Sequence, residues 1–288
     1  MKSEPTLPKA SLAKLSNLNG QKILICGAAR NVGSNLNAFV EVTEKAFADF
    51  GTVEFCICES MSTDNTQAQL EKLRTKKDNF HYLQDPNPLL PQMKRTARIS
   101  SARSAIQRIA SEKYSDFEYV AMMDLDGVNR DLTLKSIRKS FEFEGWDAIF
   151  ANQPLRYYDI WALRASGWNE RDCWREFETL LENLPRKEAL RIAVTKKMKS
   201  ISPKSEPILV DSAFGGLGIY RMEAFLNSDY LGVDSAGDEV CEHVYFNQTL
   251  TKKGYKLYVM PSLVNLNKRS QRMNIVKEFI LRITGRLN

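Results

Sequence analysis

The stretch YVAMMDLDGVN at 119–129 constrains this chain more than any other. An apolar run fit for one buried strand ends in two carboxylates one residue apart, Asp124 and Asp126, followed by Gly127. Side chains alternate along a strand, so the two acids would share a face while Leu125 turns back into the core. Carboxylates that close repel, and burying them unpaired is costly, so the pattern calls for a cation or for solvent. Oxygen ligands suit hard divalent ions such as Mg²⁺ or Mn²⁺, which keep positions open for substrate phosphates. The alternative is a solvated Asp-rich turn in which Gly127 supplies a positive φ.

The chain before this stretch alternates between strand and helix. KILIC at 22–26 is a short buried strand that runs into Gly27-Ala-Ala-Arg-Asn-Val-Gly33. A helical pattern follows, with Val32, Leu36, Phe39, Val40, Phe47 and Phe50 on one side. Amides at such a helix start can receive a phosphate, with Arg30 adding charge, or the turn is purely structural. Its glycines fit neither the dinucleotide fingerprint nor a Walker loop, which disfavours an NAD-dependent oxidoreductase. A second strand at 52–58 ends at Glu59, an acid placed to hydrogen-bond a ribose; Ser62 or Thr63 after it would cap a helix over 65–73. A strand at 79–83, a proline-rich loop and a helix over 94–114 carrying Arg95, Arg98, Arg103 and Arg108 lead to the acid pair. A helix at 132–143 and a strand at 146–151 follow. This alternation predicts an α/β fold with a doubly wound, mostly parallel sheet, helices on both faces and ligand sites at the strand C-termini.

The second half is less regular. Helices are expected at 169–184 and 186–199, and strands at 208–212 and 255–261. The glycines of Ala213-Phe-Gly-Gly-Leu-Gly218 permit close backbone approach to a ligand. Asp238 would open a helix with Glu239, Glu242 and Phe246 on one face and His243 beside Glu242; acids there also suit the helix dipole alone.

At 288 residues the chain is long enough for a large core, and no run is long and apolar enough for a membrane span. The five cysteines are odd in number and lie mostly in apolar runs, which predicts free buried thiols in a reducing compartment. A net charge of +6 fits anionic partners such as nucleotides or an acidic membrane surface. From Lys268 onward, six cations face only Glu278, while Val276, Phe279, Ile280, Ile283 and Leu287 form an apolar helical stripe. That tail suits an anionic membrane surface, or a helix docked on the protein itself.

Four segments together, ILICGAARNVGSNL, CESMSTDNT, RISSARSAIQRIA and MMDLDGVN, resemble the nucleotide-sugar glycosyltransferases of the GT-A fold, over about residues 20–265. YYDIWALR, SAFGGLGIYR and CEHVYFN are similar to the capsule-associated mannosyltransferase branch, although Glu59 stands where the family more usually has Asp. The resemblance implies that Ala28, Arg30, Glu59, Arg98, Arg103 and Asp124 border the nucleotide. It further implies Mn²⁺ or Mg²⁺ on Asp124 and Asp126, with His243 as a further ligand. Asp238, Glu239 and Glu242 would supply a base for an inverting reaction. The expected organisation is a lead-in at 1–20, a nucleotide-binding half at 21–153, an acceptor half at 154–265 and a basic tail at 266–288. The partners expected are a nucleotide-sugar donor, a glycan or lipid-linked acceptor and an anionic membrane surface, with no nucleic acid, in the cytoplasm or at the inner membrane face. A role in surface polysaccharide synthesis follows from the same likeness. A nucleotidyltransferase of related fold and a noncatalytic nucleotide- or carbohydrate-binding protein are the competing readings.

Overall fold

A computed structural model describes residues 18–87 and 89–274. The first half alternates as expected: β1 (Lys22–Ala29), α1 (Leu36–Ala46), β2 (Thr52–Glu59), α2 (Thr66–Lys76), β3 (Phe80–Gln84), α3 (Arg95–Lys113), β4 (Tyr119–Met123), α4 (Leu134–Phe141) and β5 (Ala148–Asn152). The second half adds α5 (Cys173–Leu181), α6 (Arg186–Ala193), β6 (Ile208–Val210), β7 (Leu217–Arg221), α7 (Met222–Leu226), α8 (Glu242–Lys252) and β8 (Leu257–Val264). The strands form one sheet in the order β3-β2-β1-β4-β7-β5-β8-β6, and only β6 and β7 run against the others.

The central strands are apolar on both sides because both sides are covered. Ile23 and Ile25 of β1 enter a core shared with Leu36, Phe39 and Val40 of α1 and Ile137 and Phe141 of α4. Leu24 and Cys26, one residue out of phase, enter the opposite core with Ala102 and Ile106 of α3 and Phe246 and Leu250 of α8. β4 alternates in the same way, so its C-terminal end is held between two packed layers. All five cysteines are buried and free, as their apolar settings implied.

Three expectations need correction. The glycine-rich segment after 212 is a turn followed by β7, a strand in the middle of the sheet. Gly215 and Gly216 turn the chain with φ of +66° and +85°. Gly218 must stay small inside the strand, since a Cβ there would lie 2.9 Å from the Tyr220 ring. The helix expected from Asp238 begins only at Glu242, because Asp234 Oδ1 accepts from the amides of Ala236 and Asp238 and closes a turn first. Neither Ser62 nor Thr63 caps α2, whose N-cap is Asn65; Asp64 Oδ1 accepts instead from the amide and hydroxyl of Thr66, the first residue of the helix.

Among the described residues no helix is long and apolar enough to cross a membrane. Residues 268–274 are helical, and Ser270 and Gln271 are buried against the domain. Residues 275–288, which carry most of the basic amphipathic stripe, and most of the expected lead-in lie outside the described residues.

Candidate active site

The chain winds outward from β1 through β2 to β3, then crosses back to place β4 on the other side of β1. The loops leaving β1 and β4 therefore diverge, and a crevice opens at their C-terminal ends. It is a cleft of ≈ 270 Å³. Ala28 and Ala29 border it from the end of β1, Asp124 to Asp126 from beyond β4, and Arg95, Arg98, Ile99 and Arg103 from α3, with Arg30 and Ser60 completing the wall. Glycine at position 27 lets β1 pass under the acid loop: a Cβ there would sit 2.6 Å from Leu125 Cδ1 and 2.8 Å from the Met123 carbonyl oxygen.

The acid loop is fixed through its backbone. Asp124 N donates to the Gly216 carbonyl at 2.9 Å. Asn129 Nδ2 donates both to that carbonyl and to the Asp124 carbonyl, and Asn265 Nδ2 holds Asn129 Oδ1 in turn. Asp126 Oδ1 accepts from Val128 N at 3.1 Å across the turn made by Gly127, whose φ is +93°. These bonds leave carboxylate oxygens of both acids available at the cleft.

Charge at the floor is dense. Arg103, only 4% exposed, pairs through Nη1 with Glu242 Oε1 and through Nη2 with Asp124 Oδ1 at 3.3 Å, its guanidinium lying over the Phe214 ring. Burial pushes the Asp124 carboxyl up to about 7; Arg103 pulls it down, while Asp126, Asp159 and Glu242 add to the rise. Its side chain keeps 36% of its surface open to the cleft, so water screens part of that effect. Asp126 has no cationic partner among the described residues. Arg103 thus stands among four acids, with Arg30, Arg95 and Arg98 elsewhere on the cleft wall, and a cation bound at Asp124 and Asp126 would relieve the repulsion among those acids.

The donor set at Asp124 and Asp126 fits Mn²⁺ or Mg²⁺: hard carboxylate oxygens in an open cleft, with room for phosphate oxygens to complete the coordination. Among the described residues no group of three His, Cys, Asp or Glu side chains is arranged to hold a metal by itself. His243 accordingly leaves the expected ligand set. It is 2% exposed and stacks on Phe214 at 3.6 Å, with neither ring nitrogen hydrogen-bonded. Burial, with Arg103 nearby, holds its pKa well below the usual histidine value, so the ring is neutral.

The structure also separates the expected bases from the cleft. Glu242 is committed to Arg103 in the core. Glu239 accepts from the amide and hydroxyl of Thr96 and thereby secures the start of α3. Asp238 is exposed in the turn closed by Asp234. Glu59 lies beneath the wall, its carboxylate accepting from Ser62 N and Gln67 Nε2. The residue after it, Ser60, lines the cleft with a buried hydroxyl that has no hydrogen-bond partner among the described residues. Ala28, Arg30, Arg98, Arg103, Asp124 and Asp126 do converge there.

Three residues were not singled out by the sequence: Ser60, Arg95 and Asp159. Arg95 follows from its place one turn before Arg98 on the same helix. Asp159 lay in view within YYDIWALR, but only the fold brings it near Asp124; Gly215 N and Ala162 N donate to it at 2.9 and 3.3 Å.

No protein-family model and no curated protein matches the sequence. Among solved structures, the chain is similar to the mannosyltransferase PcManGT from Pyrobaculum calidifontis in complex with GDP-Man and Mn²⁺. That likeness has 12% identity and a TM-score of 0.49 over 85% of this chain and 56% of the other. It is also similar to S. aureus TarS 1–349 in complex with UDP-GlcNAc, with 15% identity and a TM-score of 0.46 over 85% and 57%. A third likeness is to mannosyl-3-phosphoglycerate synthase from Rubrobacter xylanophilus, at 12% identity and a TM-score of 0.39 over 72% and 56%. The chain spans a little over half the length of each of these proteins.

Proposed function

We propose that the chain is a metal-dependent glycosyltransferase of GT-A type that moves a sugar from a nucleotide-sugar donor to a glycan or lipid-linked acceptor. The observation that carries this reading is the convergence of two carboxylates and four arginines on one crevice at the sheet's switch point. Arginines select a diphosphate, and the acid pair gives that diphosphate a cation to share. The resemblance in sequence extends the proposal to a hexosyl donor, mannosyl included, and to surface polysaccharide synthesis.

Each cleft residue has a task in such a reaction. Arg30, Arg95 and Arg98 gather around the diphosphate, and the orphan Ser60 hydroxyl supplies a hydrogen bond to the nucleoside side of the donor. Asp124 and Asp126 would hold Mn²⁺ or Mg²⁺, which when bound offsets negative charge on the diphosphate. Arg103 fixes Asp124 from behind, itself anchored by Glu242. As the bond from the anomeric carbon to the diphosphate oxygen breaks, charge develops on the leaving group, and preorganised cations lower the barrier. The acceptor hydroxyl forms the new bond to the anomeric carbon and gives up its proton to the departing diphosphate.

A thermal-shift panel of nucleotide sugars, each with and without Mn²⁺, tests the reading. A ligand at a hundred times its Kd adds about 2.7 kcal/mol of stability, enough to raise the melting temperature by several degrees. One nucleotide class should stabilise the protein only with the metal, and a flat response across the panel would sink the proposal. Arg98 offers a sharper check, since its guanidinium donates to the Met93 carbonyl, pairs with no carboxylate among the described residues and stands in the cleft wall. Arg98→Ala is expected to weaken nucleoside diphosphate binding about tenfold, the loss of one charge-assisted contact, with a near-parental melting temperature. Unchanged affinity in calorimetry would return Arg98 to the solvated surface.

A further inference from the structure

Asp126 also borders a second cleft, on the side away from α3. Its volume is ≈ 440 Å³, and Arg130, Arg156 and Tyr158 stand around it over the apolar side chains of Met198 and Leu266. A molecule in this cleft reaches the same carboxylate that faces the proposed donor.

The charge of this second cleft is unbalanced in the opposite sense from the floor of the first. Arg130 Nη2 donates only to neutral groups, Asn274 Oδ1 at 2.8 Å and the Ser270 carbonyl at 3.5 Å. The Arg156 guanidinium has no hydrogen-bond or ion-pair partner among the described residues. Among the described residues Asp126 is the only acid on the wall. The backbone beneath each arginine is nonetheless fixed. Gln271 Nε2 donates to the Arg156 carbonyl at 2.7 Å, and Arg156 N donates to the Gln153 carbonyl. Arg130 N closes the turn to Gly127, next to Asp126. Two guanidiniums on anchored backbone, without a paired carboxylate among the described residues, form a receptor for an oxyanion. Tyr158, 39% exposed, offers an aromatic face of the kind that sugar rings lie against.

We infer that the second cleft is an acceptor site and that it selects an acceptor bearing a phosphate, bound by Arg130 and Arg156, with its hydroxyl delivered past Asp126. The inference rests on the donor reading for the direction of transfer. The phosphate recognition stands on this cleft alone. A soluble sugar phosphate and a lipid-linked phosphate share that chemistry, and either would bring a phosphomonoester or phosphodiester to the arginine pair.

The test is calorimetric titration of the full chain with hexose 1-phosphate, and flotation with neutral vesicles containing phosphatidic acid. Each is run with and without saturating nucleoside diphosphate and Mn²⁺. Arg130→Ala with Arg156→Ala is expected to weaken phosphate binding by tenfold or more, about the loss of one charge-assisted contact per arginine, and to leave nucleoside diphosphate affinity unchanged. Arg156→Lys should recover part of it. Both side chains are exposed, so the variants should fold. Arginine-dependent binding of the hexose phosphate alone assigns a soluble acceptor, and of the vesicles alone a lipid-linked one. Binding of neither probe, or equal binding by parent and double variant, overturns the inference. A parent that binds no nucleoside diphosphate refutes the donor reading instead, because the phosphate titration is read without the nucleotide as well.

Discussion

Asp126→Asn is expected to give a folded protein with a near-parental melting temperature, no Mn²⁺-dependent stabilisation by nucleoside diphosphate, and sugar transfer reduced at least ~100-fold. The fold should survive because the residue is exposed and its one recorded bond, Oδ1 accepting from Val128 N, is available to an amide oxygen. The chemistry should not survive, since a neutral amide is a much poorer ligand for a hard cation than a carboxylate. If the residue served only to close the turn over Gly127, Asn would be among the best replacements and the change would be silent. A variant that turns over a confirmed donor at the parental rate would falsify the metal role of Asp126.

Arg103 and Glu242 carry the second large effect, and on stability rather than on chemistry alone. Their side chains are 5% and 8% exposed, so replacing Arg103 leaves Glu242 charged and buried without its partner. Arg103→Met is expected to cost about 3–5 kcal/mol in denaturant unfolding, the range for breaking a buried pair. Arg103→Met combined with Glu242→Leu should recover most of that loss, because an apolar pair of similar volume needs no desolvated charge. Transfer should remain impaired in the double variant, since Asp124 has lost the guanidinium that fixes it. Near-parental stability of Arg103→Met would show that the pair is solvated. Restored activity in the double variant would show that Arg103 has no part in positioning Asp124.

The first half of the chain was legible because its signals are local. KILIC, the apolar stripe of α1 and the run into Asp124 each announce their element through side-chain periodicity, and the alternation of elements then implies the switch-point crevice. Of the cleft residues, Asp124 with Asp126 and Arg30 followed from that, while Ala28 and Arg98 came only from the resemblance. What the sequence concealed depends on contacts between distant segments. His243 and Glu242 look like site residues when read along α8, yet the packing of α8 against α3 turns them into the core behind Arg103. Arg103 lines the cleft, yet its buried pairing with Glu242, which no periodicity reveals, ties it to the core as well. Glu59 misses the wall by one residue because its carboxylate folds back onto its own loop, leaving Ser60 in its place. β7 was hidden by the glycines that let it form, since strand patterns are read from side chains and Gly218 has none. Asp159 and the arginines of the second cleft are separated from Asp124 by loops whose course no periodicity reveals.

The central claim, that this crevice breaks the bond between a sugar and a nucleoside diphosphate, is tested most directly by product analysis. The protein, Mn²⁺, the stabilising nucleotide sugar and a phosphate-bearing acceptor are incubated, and the nucleotide released is identified by mass spectrometry. Glycosyl transfer predicts one nucleoside diphosphate for each sugar joined to the acceptor, with the phosphoanhydride intact and the signal absent in Asp126→Asn. Cleavage within the diphosphate, seen as nucleoside monophosphate or triphosphate, would contradict the account, and nucleoside triphosphate formed from added pyrophosphate would place the chain among nucleotidyltransferases.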